Sequence, residues 1–223
     1  GFGKDQQTIP ECISKILPNT VCSLKGPTFA KELIHYSPTS FTLASEDAGV
    51  FVFFDTIFKD SIIFLDYTND ILGVELLSML KNIYAIIMGV VDAHFNTSNL
   101  RFLILTKALN EMRNILIKLG GKKKTIFKYC GIGDFALTAL NDLSRNRTLG
   151  LLIGKGFFTK EISDKVVLEG KIAVNIFYEK LREESFDTSE IPMMEELYYV
   201  FNDHYDINKF VSNILQRDKI IIS

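Results

Sequence analysis

Apolar and polar residues follow two rhythms along this chain. In the first third they alternate in short runs, the period of a half-buried strand. Thr20-Val21-Cys22-Ser23-Leu24 reads as a strand ending at Lys25-Gly26-Pro27, and residues 40–45, entered through Pro38, read as a second. Glu46-Asp47 suits a helix start, with a helix running to Phe58, and Ser61-Ile62-Ile63-Phe64-Leu65 reads as a third strand. Strand, helix and strand with short links form the βαβ pattern of an α/β domain. Beyond Asp66 the apolar residues recur at helical spacing. One long helix is expected over residues 71–94 and a second over 100–119, stopped by Gly120-Gly121. Short helices follow at 125–129, 133–141 and 146–153, a longer one at 164–183, and two more at 191–201 and 207–216. No strand is expected after about residue 68.

Composition adds limits. A length of 223 residues is about one and a half domains at roughly 150 residues each. Apolar residues make up 47%, enough for a sizeable core and too many for disorder, and 18 Phe with no Trp predict a Phe-packed interior. The formal net charge of −2 gives no footprint for nucleic acid or an acidic membrane. Three widely spaced cysteines, Cys12, Cys22 and Cys130, form neither a metal pair nor a disulfide framework, so a cytoplasmic location with reduced thiols is expected. The stretch 1–15 is polar and mixed, unlike a signal peptide, and the apolar run 83–91 is too short to span a bilayer, so no membrane insertion is expected. His35, His94 and His204 are scattered, and no metal is assigned.

Three local patterns bear on chemistry. Gly131-Ile132-Gly133-Asp134-Phe135-Ala136 fits GxGxxA, but a dinucleotide fingerprint needs a strand before it and an acid about 20 residues on. A helical, basic segment precedes it here, so a tight turn between helices is the better reading; Gly154-Lys155-Gly156 reads as a helix stop. Lys81-Asn82 sits in a mostly apolar helical stretch. An ammonium there needs a partner, a wet cleft or loss of its proton, unless it snorkels at a helix rim. Ser144-Arg145-Asn146-Arg147 places two guanidiniums beside a helix start, which suits phosphate and equally suits a solvated basic cap. Lys122-Lys123-Lys124 reads as solvated surface.

Taken together these pieces resemble one family, the soluble NAD(P)-dependent sn-glycerol-3-phosphate dehydrogenases of bacterial type. Lys25 to Glu32 (KGPTFAKE) resembles the family's GPSFAKE turn. Gly73-Val74-Glu75-Leu76 with Leu80-Lys81-Asn82 resembles its GVEL…LKN helix. Gly131 to Thr138 (GIGDFALT) resembles GLGDLVLT, and Leu143 to Arg147 with Gly150 resembles LSRNRRFG. Val166-Val167-Leu168-Glu169-Gly170 resembles VVEG. Five pieces in the family's order and spacing are specific where each alone is weak.

The resemblance implies a fold: an α/β remnant of a Rossmann domain at residues 1–68, then an all-α substrate-binding domain at 71–223 of the kind that closes 6-phosphogluconate dehydrogenase. It implies an enzyme interconverting sn-glycerol 3-phosphate and dihydroxyacetone phosphate with NAD or NADP, feeding glycerophospholipid synthesis, and a homodimer. By position, Lys81 matches the general acid/base and Asp134 its catalytic support. Asn82 and Thr138 match residues around the reacting carbinol, Arg145 and Asn146 the phosphate clamp with Ser144 beside them, and Gly26 and Thr28 further substrate contacts. Ala30, Arg145, Val167 and Glu169 match contacts to the nicotinamide cofactor.

The departures are definite. Leu77-Ser78-Met79 replace small residues before the catalytic pair, and the family's Gly-rich loop ADGLGLGDNARA is replaced over residues 92–101, with only Asp92, Asn99 and Arg101 clearly kept. That loss motivates a second reading, a divergent non-catalytic relative that binds a phosphorylated ligand or dimerises through its helices. The family's GxGxxG and a second lysine would precede Gly1, so the chain is expected to be a fragment of a longer enzyme.

Overall fold

The computed structural model describes residues 7–157 and 164–216, and of residues 164–167 the backbone alone. It is mostly helical with one three-stranded sheet. Two compact units share the chain. One holds the described residues through Lys81 and Leu116–Leu137; the other holds Asn82–Ile115 and the described residues from Thr138 onward.

The first unit opens with helix α1 (Ile9–Ser14). The Thr8 backbone N–H donates to Glu11 Oε2 at 2.6 Å, while the Glu11 N–H donates to Thr8 Oγ1 at 3.4 Å. This reciprocal capping box, with Pro10 in the first turn, stabilises a helix too short to persist by propensity. Strand β1 (Ser23–Lys25), helix α2 (Ala30–Ile34), strand β2 (Thr39–Ala44), helix α3 (Ala48–Phe58) and strand β3 (Ile63–Thr68) follow. The expected βαβ unit is present: β2 and β3 pair in parallel from Thr39↔Ile63 to Ala44↔Thr68, with α3 between them. Asp47 caps α3, its Oδ1 accepting from the Gly49 N–H at 2.8 Å. Strand β3 begins later than its alternation suggests because Ser61 closes the end of α3. Its hydroxyl donates to the Phe58 carbonyl at 2.8 Å and accepts from the Ile63 N–H at 3.1 Å. Strand β1 adds antiparallel to β2, with Ser23 opposite Ala44. Among the described residues no strand follows Thr68.

Helix α4 (Ile71–His94) begins at Asp70, a buried carboxylate that organises this unit. Its Oδ1 accepts from the Gly73 N–H at 2.9 Å. Its Oδ2 accepts from the Lys122 N–H at 2.7 Å and from the Thr125 hydroxyl. Lys122 is thus engaged rather than merely solvated, and its Nζ reaches Asn69 Oδ1 at 2.7 Å. Helix α5 (Ser98–Lys118) precedes this contact. Where a single helix is expected at 125–129, a 3₁₀ turn (Lys123–Phe127) runs into a wide π-type turn (Tyr129–Gly133). Gly131 has φ −94° and ψ −106°, and any Cβ there would meet the Ile126 carbonyl, so the turn requires glycine. The Cys130 N–H donates to Thr42 Oγ1 at 2.9 Å, tying the turn to β2. Helix α6 (Asp134–Leu140) starts directly after it.

The second unit is built on α4 and α5 with α7 (Arg145–Gly154), α8 (Asp164–Glu183), α9 (Pro192–Asn202) and α10 (Phe210–Gln216). From Ile83 to Val91 every apolar side chain of α4 except glycine is at most 1% exposed. A helix apolar on all sides belongs in a core. By length and composition α4 could cross a bilayer, which the short apolar run alone does not suggest, but 78% of its most apolar window is buried within the protein. Helices α4 and α7 cross at Gly89 and Gly150: a Cβ on either would strike backbone of the other helix. At the head of α9, Glu111 accepts from the Met193 and Met194 N–H groups at 3.1 and 2.9 Å and from the Tyr84 hydroxyl at 2.7 Å. Burial pushes its carboxyl up to about 7, against those bonds and Lys107, which pull it down.

Candidate active site

Within the first unit, Lys81 has a partner. Its Nζ donates to Asp134 Oδ1 at 2.6 Å; the lysine side chain is 21% exposed and the aspartate 4%. Asp134 is the first residue of α6, where a carboxylate is favoured by the helix dipole, and the wide turn before it sets its direction. Gly26 follows β1 so closely against β2 that a Cβ would lie 2.8 Å from Phe41 Cα. The next residue, Pro27, packs beside Gly133, its Cγ 3.5 Å from where a Cβ would stand. The Gly26-Pro27 turn therefore lies next to the turn that carries Asp134. Thr28 has a buried Oγ1 with no hydrogen-bond partner among the described residues. Ala30 opens α2 and is exposed.

Within the second unit, Asn82, Arg145, Asn146 and Glu169 converge on a cavity of about 240 Å³, walled on its apolar side by Ile83 and Ile86. Arg145 is exposed and makes no ion pair among the described residues. Ser144 is the N-cap of α7, its Oγ accepting the Arg147 N–H at 3.3 Å. Thr138 is buried on α6, one turn from Asp134. Val167 lies in the first turn of α8, and its side chain falls outside the described residues.

The second guanidinium of the motif behaves differently. Arg147 is buried, with Nη2 donating to Asp92 Oδ2 at 2.8 Å and Nη1 to Asp142. Position alone did not separate it from Arg145. Of the residues that replace smaller ones before Lys81, Leu77 is fully buried and Ser78 donates to the Glu75 carbonyl at 2.9 Å. A larger cavity of about 740 Å³ lies among Thr8, Glu11, Thr20, Asp47 and Ile71. Its Glu11 and Asp47 already serve as helix caps, and no expected site residue lines it. Burial pushes the Cys130 thiol up to about 12, so it holds its proton and is no nucleophile.

Residues 70–212 match the family model described as NAD-dependent glycerol-3-phosphate dehydrogenase C-terminus. The chain belongs to this family. The glycerol-3-phosphate dehydrogenase [NAD(P)+] of Clostridium acetobutylicum is 36% identical over 208 residues, 92% of this chain and 61% of that protein. The protein of the same name from Methanothermobacter thermautotrophicus is 32% identical over 204 residues, 89% of this chain and 59% of that protein. The crystal structure of a glycerol-3-phosphate dehydrogenase from Coxiella burnetii superposes with a TM-score of 0.85 at 25% identity, covering 97% of this chain and 66% of that one. The chain thus spans about three fifths of the curated relatives it matches.

For a member of this dehydrogenase family the cofactor question is whether the residues present suit a nicotinamide. The 240 Å³ cavity presents donors and acceptors together: the Asn82 and Asn146 amides, the Arg145 guanidinium and the Glu169 carboxylate. A carboxamide needs both kinds of partner. Sites for drug-sized ligands run from roughly 300 Å³ upward, so this cavity suits one ring or a triose phosphate and not a whole dinucleotide.

Proposed function

We propose that the protein containing this chain interconverts sn-glycerol 3-phosphate and dihydroxyacetone phosphate with NAD or NADP. The observation that carries this reading is the division of charge: Lys81 is held by a buried Asp134, while Arg145, at a polar cavity, has no ion pair among the described residues. Arg145 and Asn146 bind the phosphate. A guanidinium fork suits that group, and the N–H groups opening α7 add positive potential. Binding at this remote group orients the reacting carbon. In the reducing direction the Lys81 ammonium gives a proton to the oxygen that becomes the C2 hydroxyl. In the oxidising direction the Lys81 amine takes that proton back. Asp134 holds the lysine in place, and Asn82, Thr138, Gly26, Thr28 and Ser144 contribute substrate contacts. NAD(P), when bound, supplies or accepts the hydride at C2. Ala30, Arg145, Val167 and Glu169 would hold its nicotinamide end.

The same reading takes residues 1–68 as part of a nucleotide-binding Rossmann domain, supported by the parallel β2–α3–β3 unit, and 71–223 as the helical substrate domain. It includes a cytoplasmic location, supported by three unpaired thiols, no membrane insertion, supported by the burial of α4, and a homodimer, which rests on the family resemblance alone. Calorimetric titration of the chain with sn-glycerol 3-phosphate and with glycerol tests the clamp: binding of the phosphate compound and not of glycerol, weakened in Arg145→Ala, is expected. Oxidation of NADH on adding dihydroxyacetone phosphate to the protein containing this chain tests the chemistry. Phosphate binding without turnover would favour the non-catalytic relative, and binding unaffected by Arg145→Ala would sink the assignment.

A further inference from the structure

We propose that Asp92 and Arg147 are positioning residues that set the first turn of α7 so that Arg145 and Asn146 meet a phosphate group. This rests on the clamp reading above and adds to it two residues that do not touch the ligand. Asp92 lies near the end of α4, its side chain 2% exposed, and is held on both oxygens. Oδ2 takes the Arg147 Nη2 hydrogen at 2.8 Å, and Oδ1 takes the Arg101 Nε hydrogen at 2.8 Å. Arg101 is steadied in turn by Asn96 Oδ1 at 2.7 Å. On the surface side, Arg147 Nη1 reaches Asp142, which is 91% exposed.

The helix geometry turns this anchor into an orientation. Successive helix residues are about 100° apart, so Arg145 and Arg147 lie about 200° apart on α7. Pulling Arg147 inward onto Asp92 therefore turns Arg145 outward. The first turn of a helix has no internal acceptor for its N–H groups and frays most easily. The Gly89–Gly150 crossing fixes α7 from Arg147 to Leu151. The turn that bears the clamp is held by the Asp92–Arg147 pair, the Ser144 cap and, on the surface side, Asp142, with Gly89 packed against the Arg147 carbonyl. Two guanidiniums share the buried Asp92 carboxylate, and with Asp142 on the surface side the cluster is balanced in charge, so its part is to place the turn and not to add potential.

A double-mutant cycle on the chain, titrated calorimetrically with sn-glycerol 3-phosphate, decides the matter. Asp92→Asn is expected to weaken binding about tenfold, and Arg147→Lys, which keeps the charge but loses the fork, about threefold. In an Arg145→Ala background, either change is expected to alter affinity less than about twofold, because its effect passes through Arg145. Melting temperature, read alongside, reports the purely structural loss, which is the same in both backgrounds. If Asp92→Asn does not fold, Arg147→Lys carries the cycle. Equal losses in affinity with and without Arg145, or no loss at all where Arg145→Ala weakens binding, overturn the positioning role alone. If Arg145→Ala leaves affinity unchanged, the clamp reading fails and the positioning role fails with it.

Discussion

The two compact units treat their candidate cations in opposite ways. In the first, Lys81 is 2.6 Å from a buried aspartate that it reaches across 53 residues of chain. In the second, Arg145 stands exposed at a polar cavity with no ion pair among the described residues, while its near neighbour Arg147 is buried and bonded to Asp92. A cation that moves a proton must be held at one place, and a partner does that. A cation that grips a ligand must keep its donors for the ligand. Arg147 shows that residue type does not choose between these uses, since burial and the nearest carboxylate do.

The contrast can be broken at several points. The largest effect is expected at the paired cation: Lys81→Ala should lower turnover by about 10³-fold, within the range for general acid–base catalysis, with sn-glycerol 3-phosphate affinity changed far less. A steady-state assay of the protein containing this chain separates the two. Next is the anchor. Asp92→Ala takes away the buried partner of Arg147, leaving it the exposed Asp142, and should cost about 3–5 kcal/mol of stability, read from urea unfolding. Arg145→Ala in the same assay should cost almost nothing, and equal losses would erase the distinction between the two arginines.

Glu111 gives a control away from both cations. Its folded-state pKa is raised to about 7 from 4.5, so the native state holds the proton more tightly than the unfolded chain. Its contribution is therefore greatest below about pH 4.5 and falls by roughly 3 kcal/mol as pH rises to about 7. In Glu111→Gln the slope of urea stability between pH 5 and 7 should flatten; an unchanged slope would place the titration elsewhere. At the cavity, Arg145→Ala should weaken sn-glycerol 3-phosphate binding by about 1.5–3 kcal/mol, the worth of hydrogen bonds to a charged group. The smallest effect is expected for Ser144→Ala, a lost helix cap worth about 1 kcal/mol in thermal or urea unfolding.

Much of this was legible along the chain. The helical period gives α4, α5 and α8, and the alternating runs with Asp47 give the parallel β2–α3–β3 unit. Helix α1 is not among the expected elements: Thr8, Pro10 and Glu11 spell a capping box, but six residues carry too little periodicity to show a helix. The split of 123–133 into a 3₁₀ and a wide turn was not readable. It follows from contacts with Asp70 and Thr42, which lie more than 50 residues away. At the candidate site, Lys81-Asn82 and Ser144 to Arg147 draw notice by position alone. Asp134, Thr138 and Glu169 come into view only through the family resemblance.

By itself the sequence determined what depends on near neighbours: helix periods, caps, strand alternation, the glycines at turns, and the order of motifs that marks the dehydrogenase family. Tertiary structure alone decided which charges meet. That Asp134 pairs with Lys81, that Asp92 takes Arg147 and Arg101, and that Arg145 is left over all depend on packing, which brings distant residues within hydrogen-bond reach. The physical reason is range. Propensities and caps act over one or two turns of chain. A charge responds to burial and to whatever stands within a few ångströms, however far away along the chain.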